Sequence, residues 1–404
     1  MESTNSLIAR QPICDKDLKV IGYELLYRMG NNTEAVISNP DGATTDVLLT
    51  AFADMSITDI VGRHVAFVNF TSNLLLGELP PISPKQLVIE LLEDQDITDA
   101  LLKRLKRYRK QGYRIALDDF CLTKDTISLI DYADIIKLDV LAESPEAWKS
   151  YIPLLKNKGI SLLAEKVESH EVFERCKQLG FDYFQGYFFA KPNIVSGKKV
   201  SRNQITVINL INALNARDVN LNEVNELIAH DAGISYSLLR IINSGLYNLP
   251  TQVDSIRQAI TLLGINHLRQ WVSFLALSNL DNKPQSLCDT ALLRARMCEW
   301  LGENIDSTTA SQEYFTAGLL SVIDAFLDLP MKGLLQKLSL NSTIKKAILT
   351  HEGAMGAALK CVIEYEQGNW DYLMGFMANQ YNIDTKAFMN AYIDALNWVE
   401  ENAR

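Results

Sequence analysis

The chain has 404 residues, 48% apolar and 22% charged, with a net charge of -10 at neutral pH, which fits a soluble globular protein long enough for two domains. The acidic balance excludes the basic footprint that a nucleic acid or an anionic membrane requires, yet leaves room for a small phosphate ligand screened by metal ions or local arginines. No apolar run reaches the ~18 residues of a membrane span, and the opening MESTNSLIARQPI lacks the basic-then-apolar build of a signal peptide, so a cytoplasmic location is expected.

From residue 19 to 190, β-rich runs alternate with helical stretches, as a repeated β-α unit requires. The candidate strands are VIGYELL, HVAFVNF, QLVIELLE, YRIALDDF, IIKLDV, SLLAEKVE and YFQGYFF. Among the helices, DALLKRLKRYRKQG carries an apolar stripe of Leu101, Leu102 and Leu105, with Gly112 placed to end it. Polar groups recur near the C-terminal ends of successive strands: Asn69, Glu90, Asp118, Asp119, Lys137, Glu165 and Gln185. In a parallel barrel those ends share one rim, where active sites form. So many acids on one rim repel each other and call for cations. Hard divalent ions prefer oxygen ligands, and the neighbours Asp118 and Asp119 suit a pair of ions, one carboxylate bridging them.

The polar segment PNIVSGKKVSRNQ, residues 192–204, reads as a linker, so the expected domains are 1–195 and 196–404. Beyond it helical periodicity takes over. In LNEVNELIAHDAG, residues Leu221, Val224, Leu227 and Ile228 share a face and Gly233 is placed to end the run, which predicts an all-α second domain. The cysteines Cys14, Cys121, Cys176, Cys288, Cys298 and Cys361 form no C-x-x-C pair and no zinc spacing, and read as reduced thiols that mostly fill the core.

An ordered set of fragments runs through the first half: QPI at 11–13, YELLYR at 23–28, VN at 68–69, IELLE at 89–93, DDF at 118–120, KLD at 137–139, EKVE at 165–168 and QGYFFAKP at 185–192. In order and spacing this set resembles the EAL phosphodiesterase family over residues 7 to 195. The resemblance implies a TIM-like (β/α)8 barrel and a metal-dependent phosphodiesterase that opens cyclic di-GMP to linear pGpG. It further implies two Mg²⁺ or Mn²⁺ ions, with Ca²⁺ supporting binding without turnover. By position, Glu24, Asn69, Glu90 and Asp118 would hold one ion, and Asp118 would bridge to a second held by Asp119 and Glu165. Lys137 would hold the attacking water, Gln185 would order the surroundings, and Glu93 would brace the loop after the DDF strand. Arg28, Asp139 and Glu168 would face the substrate, Arg28 offering a fork of donors to a phosphate.

Three departures from the family pattern bear on catalysis: ELL for E-A-L at 24–26, EKVE for E-G-V-E at 165–168, and DDFCLTKDTISL for D-D-F-G-T-G-x-S-S-L at 118–129. In the family the last of these shapes the second metal site and a dimer contact, so a homodimer is among the expected assemblies. Its glycines permit turns that Cys121 and Thr123 are expected to resist. The alternative this opens is an impaired EAL domain that acts as a cyclic di-GMP-binding effector or an interaction scaffold.

The stretches LIAHDAGISYSLLRIINSGLYNLP, 227–250, and SIRQAITLLGINHLRQWV, 255–272, resemble an HDOD domain. The resemblance implies a helical regulatory module that meets a protein partner and lacks the metal site of HD phosphohydrolases. The dipeptide His230-Asp231 is read as a decoy: the nearest upstream histidine is His170, in the first domain, and His267 and His351 do not follow the HD spacing.

Overall fold

The computed structural model describes residues 6–29, 57–77, 82–92, 95–121, 123, 126–143, 145–193, 202–216, 218–243, 253, 255–278, 280 and 283–402. They belong to two compact units, one of residues 1–189 with 364–393, the other of residues 190–363 with 394–404. The expected boundary at 195/196 assigns 364–393 to the second domain, whereas the compact units count that segment with the first. Most of the expected linker, 194–201, lies outside the described residues.

The first unit is a closed eight-stranded barrel with strands in sequential order: β1 Ser6–Asp15, β2 Val20–Met29, β3 Val65–Phe70, β4 Leu87–Leu91, β5 Arg114–Leu117, β6 Ile135–Asp139, β7 Ser161–Glu165 and β8 Tyr183–Gln185. From β2 to β8 every neighbouring pair is parallel, as the β-α pattern predicts. β1 departs from that pattern. It runs antiparallel to both β2 and β8 and closes the ring. SLIARQPICD mixes Arg, Gln and Pro into its apolar residues, so it gives no clean strand signal, and QPI shows only as a motif.

Side chains alternate across a strand with period two, and the barrel interior exploits this. Ile13, Phe67, Val88, Ala116, Ile135 and Leu163 form one buried layer, with Tyr183 packed against it. Two residues further toward the rim stand Gln11, Asn69, Glu90, Asp118, Lys137, Glu165 and Gln185. Each strand thus supplies an apolar plug residue and then a polar one. On β2 the plug position is Gly22, where a Cβ would come 2.7 Å from the Phe67 ring, so glycine makes room for that ring beneath Glu24.

β8 reaches only Ile13–Asp15 of β1, which leaves the earlier part of β1 with one unpaired edge. The segment 364–393 covers it. The Tyr365 hydroxyl donates to the Ile8 carbonyl, and the Ile8 N–H points at Met389 Sδ, 3.4 Å away. Tyr365, Phe388 and Tyr392 pack edge-on around this contact with ring centroids 4.8–5.0 Å apart. Backbone groups that a neighbouring strand would pair are therefore satisfied by side chains distant in sequence.

The second unit is helical, as expected. Asp231 caps the helix Ala232–Ile242 by accepting from the Ile234 N–H at 3.0 Å, and the preceding helix, Leu221–Ala229, has already ended at His230. Gly233 therefore lies inside the second helix rather than ending the first: an aspartate cap is a stronger boundary than the glycine. Gly264, with φ of 73°, breaks the long helix Ile256–Ser278 at the end of the stretch AITLLG, 259–264. Five of the six cysteines are buried and Cys121 is exposed. No helix of the described residues is long and apolar enough to cross a membrane.

Candidate active site

The polar layer converges on one ammonium. Lys137 Nζ, fully buried, lies 2.6 Å from Asp118 Oδ1, 2.9 Å from Glu165 Oε1, 3.0 Å from Glu90 Oε1 and 3.3 Å from Glu24 Oε2. Glu24 is held on both oxygens: Asn69 Nδ2 donates to Oε1 at 3.2 Å, and Gln185 Nε2 donates to Oε2 at 2.6 Å. Gln185 Nε2 also lies 2.7 Å from Gln11 Oε1, which ties β8 to the neighbouring β1 at the rim. Gly186 follows with φ of 143°, where a Cβ would sit 2.1 Å from the Val167 carbonyl, so only glycine lets β8 deliver Gln185 at this height.

One ammonium serves four carboxylates, and the titration of the group reflects that imbalance. Burial pushes the Glu90 carboxyl well above the ordinary range, against the pull of Lys137. Burial likewise raises Asp118, and pushes Glu165 up to about 8. For Lys137, burial disfavours the charge, but Glu24, Glu90, Glu165 and Asp118 together outweigh it and hold the ammonium charged. Among the described residues no side-chain or backbone hydrogen bond is made to several oxygens here: both oxygens of Glu90, Asp118 Oδ1, Asn69 Oδ1 and Gln185 Oε1. Of these, Glu90 Oε1 and Asp118 Oδ1 are ion-paired with the Lys137 ammonium, so the oxygens left without any partner are Glu90 Oε2, Asn69 Oδ1 and Gln185 Oε1. Unmatched buried acceptors of this kind cost about 1–3 kcal/mol each, more when charged.

Outside this layer is a second, shallower group. Asp119, half-exposed, has a left-handed φ of 42°, and Lys166 one of 55°. Lys166 Nζ lies 2.5 Å from Asp139 Oδ2 and 3.9 Å from Asp119 Oδ1. Asp139 Oδ1 accepts the N–H groups of Leu141 and Ala142 at 2.7 and 3.1 Å. Burial opposes the Asp139 charge, but the Lys166 ammonium and these two N–H groups hold its carboxyl below the ordinary range.

The loop after Phe120 holds itself by hydroxyls. Thr123 Oγ1 accepts the Thr126 N–H at 3.2 Å, Thr126 Oγ1 accepts the Thr123 N–H at 2.9 Å, and the Thr126 hydroxyl donates to the Cys121 carbonyl at 2.6 Å. Neither Cys121 nor Thr123 takes a left-handed conformation, so the backbone resistance expected from replacing glycines does not arise at these two positions. The strained residue is Asp119 instead. Reciprocal threonine bonds at i and i+3 satisfy the turn as a capping box does.

Of the residues expected at the site, Glu24, Asn69, Glu90, Asp118, Lys137, Glu165 and Gln185 come together in the deep layer, and Asp119 and Asp139 in the shallow one. Glu168 lies exposed three residues beyond Glu165. Arg28 is on β2, but its side chain lies outside the described residues, as does the whole of Glu93. Gln11 and Lys166 join the site without having been assigned a role. Gln11 sits in the QPI motif, and Lys166 stands where E-G-V-E has glycine.

Among the described residues no three His, Cys, Asp or Glu side chains already close round a common point in metal-ligand geometry, because the deep carboxylates close on Lys137 instead. The donor set is nevertheless one that suits hard divalent ions: all oxygen, in excess of its counter-charge, with orphaned acceptors on Glu90 and Asn69. At the other candidate, His230 is an exposed helix end and Asp231 is engaged as a cap. Among the described residues neither belongs to a group of three or more His, Cys, Asp or Glu that could hold a metal.

Family models match two segments, an EAL domain over residues 48–192 and an HDOD domain over 204–340. A Bacillus subtilis (strain 168) protein described as uncharacterized protein YuxH is 35% identical over 401 residues, covering 97% of both chains. Cyclic di-GMP phosphodiesterase CdgJ of Vibrio cholerae serotype O1 is 31% identical over 368 residues, covering 90% of this chain and 85% of its own. Among solved structures, an EAL domain protein from Listeria monocytogenes EGD-e aligns over 46% of this chain and 87% of its own, with 21% identity and a TM-score of 0.39. The chain belongs to the family of two-domain proteins in which an EAL domain precedes an HDOD domain.

Proposed function

We propose that this chain is a cyclic di-GMP phosphodiesterase that opens the ring to linear pGpG with divalent metal ions, its helical domain serving as the regulatory module. The observation that carries the reading is the deep polar layer: four carboxylates around one lysine, more negative charge than a single ammonium offsets. CdgJ, similar over nearly the whole chain and named for this activity, supports the same reading. Glu24, Asn69, Glu90 and Asp118 would hold one Mg²⁺ or Mn²⁺ ion, and Asp118, Asp119 and Glu165 a second. Such ions polarise a phosphoryl oxygen and lower the pKa of bound water.

The chain's own residues would do the rest. Lys137, kept charged by its neighbours, would hold and orient a water at the rim. Gln185 would fix the Glu24 carboxylate, so that a ligand on which binding depends does not rotate. Arg28 would clamp a ligand phosphate, and Asp139 and Glu168 would line the entrance. Incubating the purified full chain with cyclic di-GMP and Mn²⁺, and separating the nucleotides by anion exchange, tests this directly: pGpG accumulates if the reading holds. The second reading, a non-catalytic effector, is favoured by Lys166 holding Asp139 and approaching Asp119 on the shallow side. It is the outcome if cyclic di-GMP binds but no divalent ion supports turnover.

A further inference from the structure

The rim carries two lysines at two depths. Lys137 sits among the deep carboxylates inside the barrel, whereas Lys166 is half-exposed and pairs with the shallow carboxylates Asp139 and Asp119. The backbone fixes it there. Val167 is fully buried, its N–H donates to the Gln185 carbonyl at 2.9 Å, and its own carbonyl accepts from Phe188 at 3.2 Å. With Glu165 turned inward and Val167 pinned, the residue between them takes a left-handed φ of 55° and projects over the mouth. That conformation costs a side-chain-bearing residue about 1 kcal/mol or more, and such strain persists where the surroundings over-determine it. Here a lysine occupies it, its ammonium on Asp139.

We propose that Lys166 is a built-in competitor for the outer divalent ion: its ammonium takes up the negative charge of Asp139 and Asp119 and weakens the second binding step relative to the first. This rests on reading the rim as a two-cation site. A divalent ion bound at Asp119 would sit beside a fixed positive charge, and the repulsion in partly exposed surroundings is of order one decade in affinity. The deep step, served by Glu24, Asn69, Glu90 and Asp118, uses none of the carboxylates with which Lys166 pairs and feels its charge less. The outer ion therefore binds only at higher metal concentration, and the chain passes through a state with one ion loaded.

The test is calorimetric titration of the full chain with Mn²⁺ in the absence of nucleotide, joined to electron paramagnetic resonance, which distinguishes isolated from spin-coupled Mn²⁺. Lys166→Met removes the charge and keeps most of the stem, while Lys166→Arg keeps the charge. In Lys166→Met the second step tightens about tenfold, the first moves by less than about twofold, and the coupled-pair signal emerges at lower Mn²⁺. Lys166→Arg behaves as wild type. Two steps of unchanged affinity in Lys166→Met overturn the competitor role and leave the metal site standing. Equal tightening in both variants also overturns it, since the cause would then be the fold of the loop rather than its charge. Absence of Mn²⁺ binding in wild type and variants alike overturns both this inference and the two-cation rim beneath it. Should Lys166→Met fail to fold by circular dichroism, Lys166→Gln carries the same expectation.

Discussion

The two units bury charge in opposite ways. In the helical unit Glu299 is nearly inaccessible, yet Gln270 Nε2 donates to one of its oxygens at 2.9 Å and Arg296 Nη1 to the other at 2.5 Å. Its charge is matched locally. In the barrel, Glu24, Glu90, Asp118 and Glu165 share one lysine, and acceptors on Glu90, Asn69 and Gln185 lack donors. Glu299 is thus answered on both oxygens, whereas four carboxylates of the barrel depend on a single ammonium. The unmatched negative charge of the barrel mouth is therefore a stability cost that a cation can relieve.

The largest effect expected from this contrast is at Asp118. Asp118→Asn removes the charge from the position proposed to join both ions, and hydrolysis of cyclic di-GMP should fall by about three orders of magnitude or more. Turnover within a few fold of wild type, measured by nucleotide separation, would break the site assignment.

Lys137→Met comes next. Without the ammonium, four buried carboxylates face one another, and the metal-free barrel should lose about 3 kcal/mol of stability. Millimolar Mg²⁺ should restore much of it, whereas the same Mg²⁺ should not rescue Glu299→Ala in the helical unit. Equal response of the two variants to Mg²⁺ in calorimetric unfolding would erase the difference between the units.

Asp324 gives a pH-dependent comparison within the helical unit. Burial pushes its carboxyl up to about 6 from the ordinary 3.8, so the folded state holds the proton more tightly than the unfolded one. Its contribution is complete below about pH 4 and is lost as pH rises through about 6. Asp324→Asn, which cannot ionise, should leave the unit about 2 kcal/mol more stable than wild type at pH 7.5, with little difference at pH 4. A gap of the same size at both pH values would show that burial of this carboxyl is not the cause.

The smallest effect is at His230. Because it ends a helix in the open and its neighbour Asp231 serves as a cap, His230→Ala should leave metal content by mass spectrometry and any hydrolysis rate unchanged. Loss of a bound transition metal would revive an HD-type site.

The rim was legible in the sequence because period-two alternation and parallel order force polar residues at successive strand ends onto one circle. Asn69, Glu90, Asp118, Lys137, Glu165 and Gln185 all follow from that rule. β1 was not legible, since, apart from its sequence neighbour β2, it is placed by β8 and by the cover of Tyr365 and Met389, all far along the chain. Nor was the Thr123–Thr126 clasp, where hydroxyls do locally what glycines were expected to do. The Leu221 helix ends at His230, short of Gly233, because the side chain of Asp231 caps the helix that follows.

The most direct test of the central claim is the thermal unfolding of the full chain across millimolar Mg²⁺ and Mn²⁺, wild type beside Asp118→Asn. A site held short of positive charge should raise the wild-type barrel transition with metal, by about 2.7 kcal/mol when the ion is at a hundredfold excess over its dissociation constant, and raise the variant far less. A wild-type transition that does not move with either ion, or that moves equally in Asp118→Asn, would contradict it.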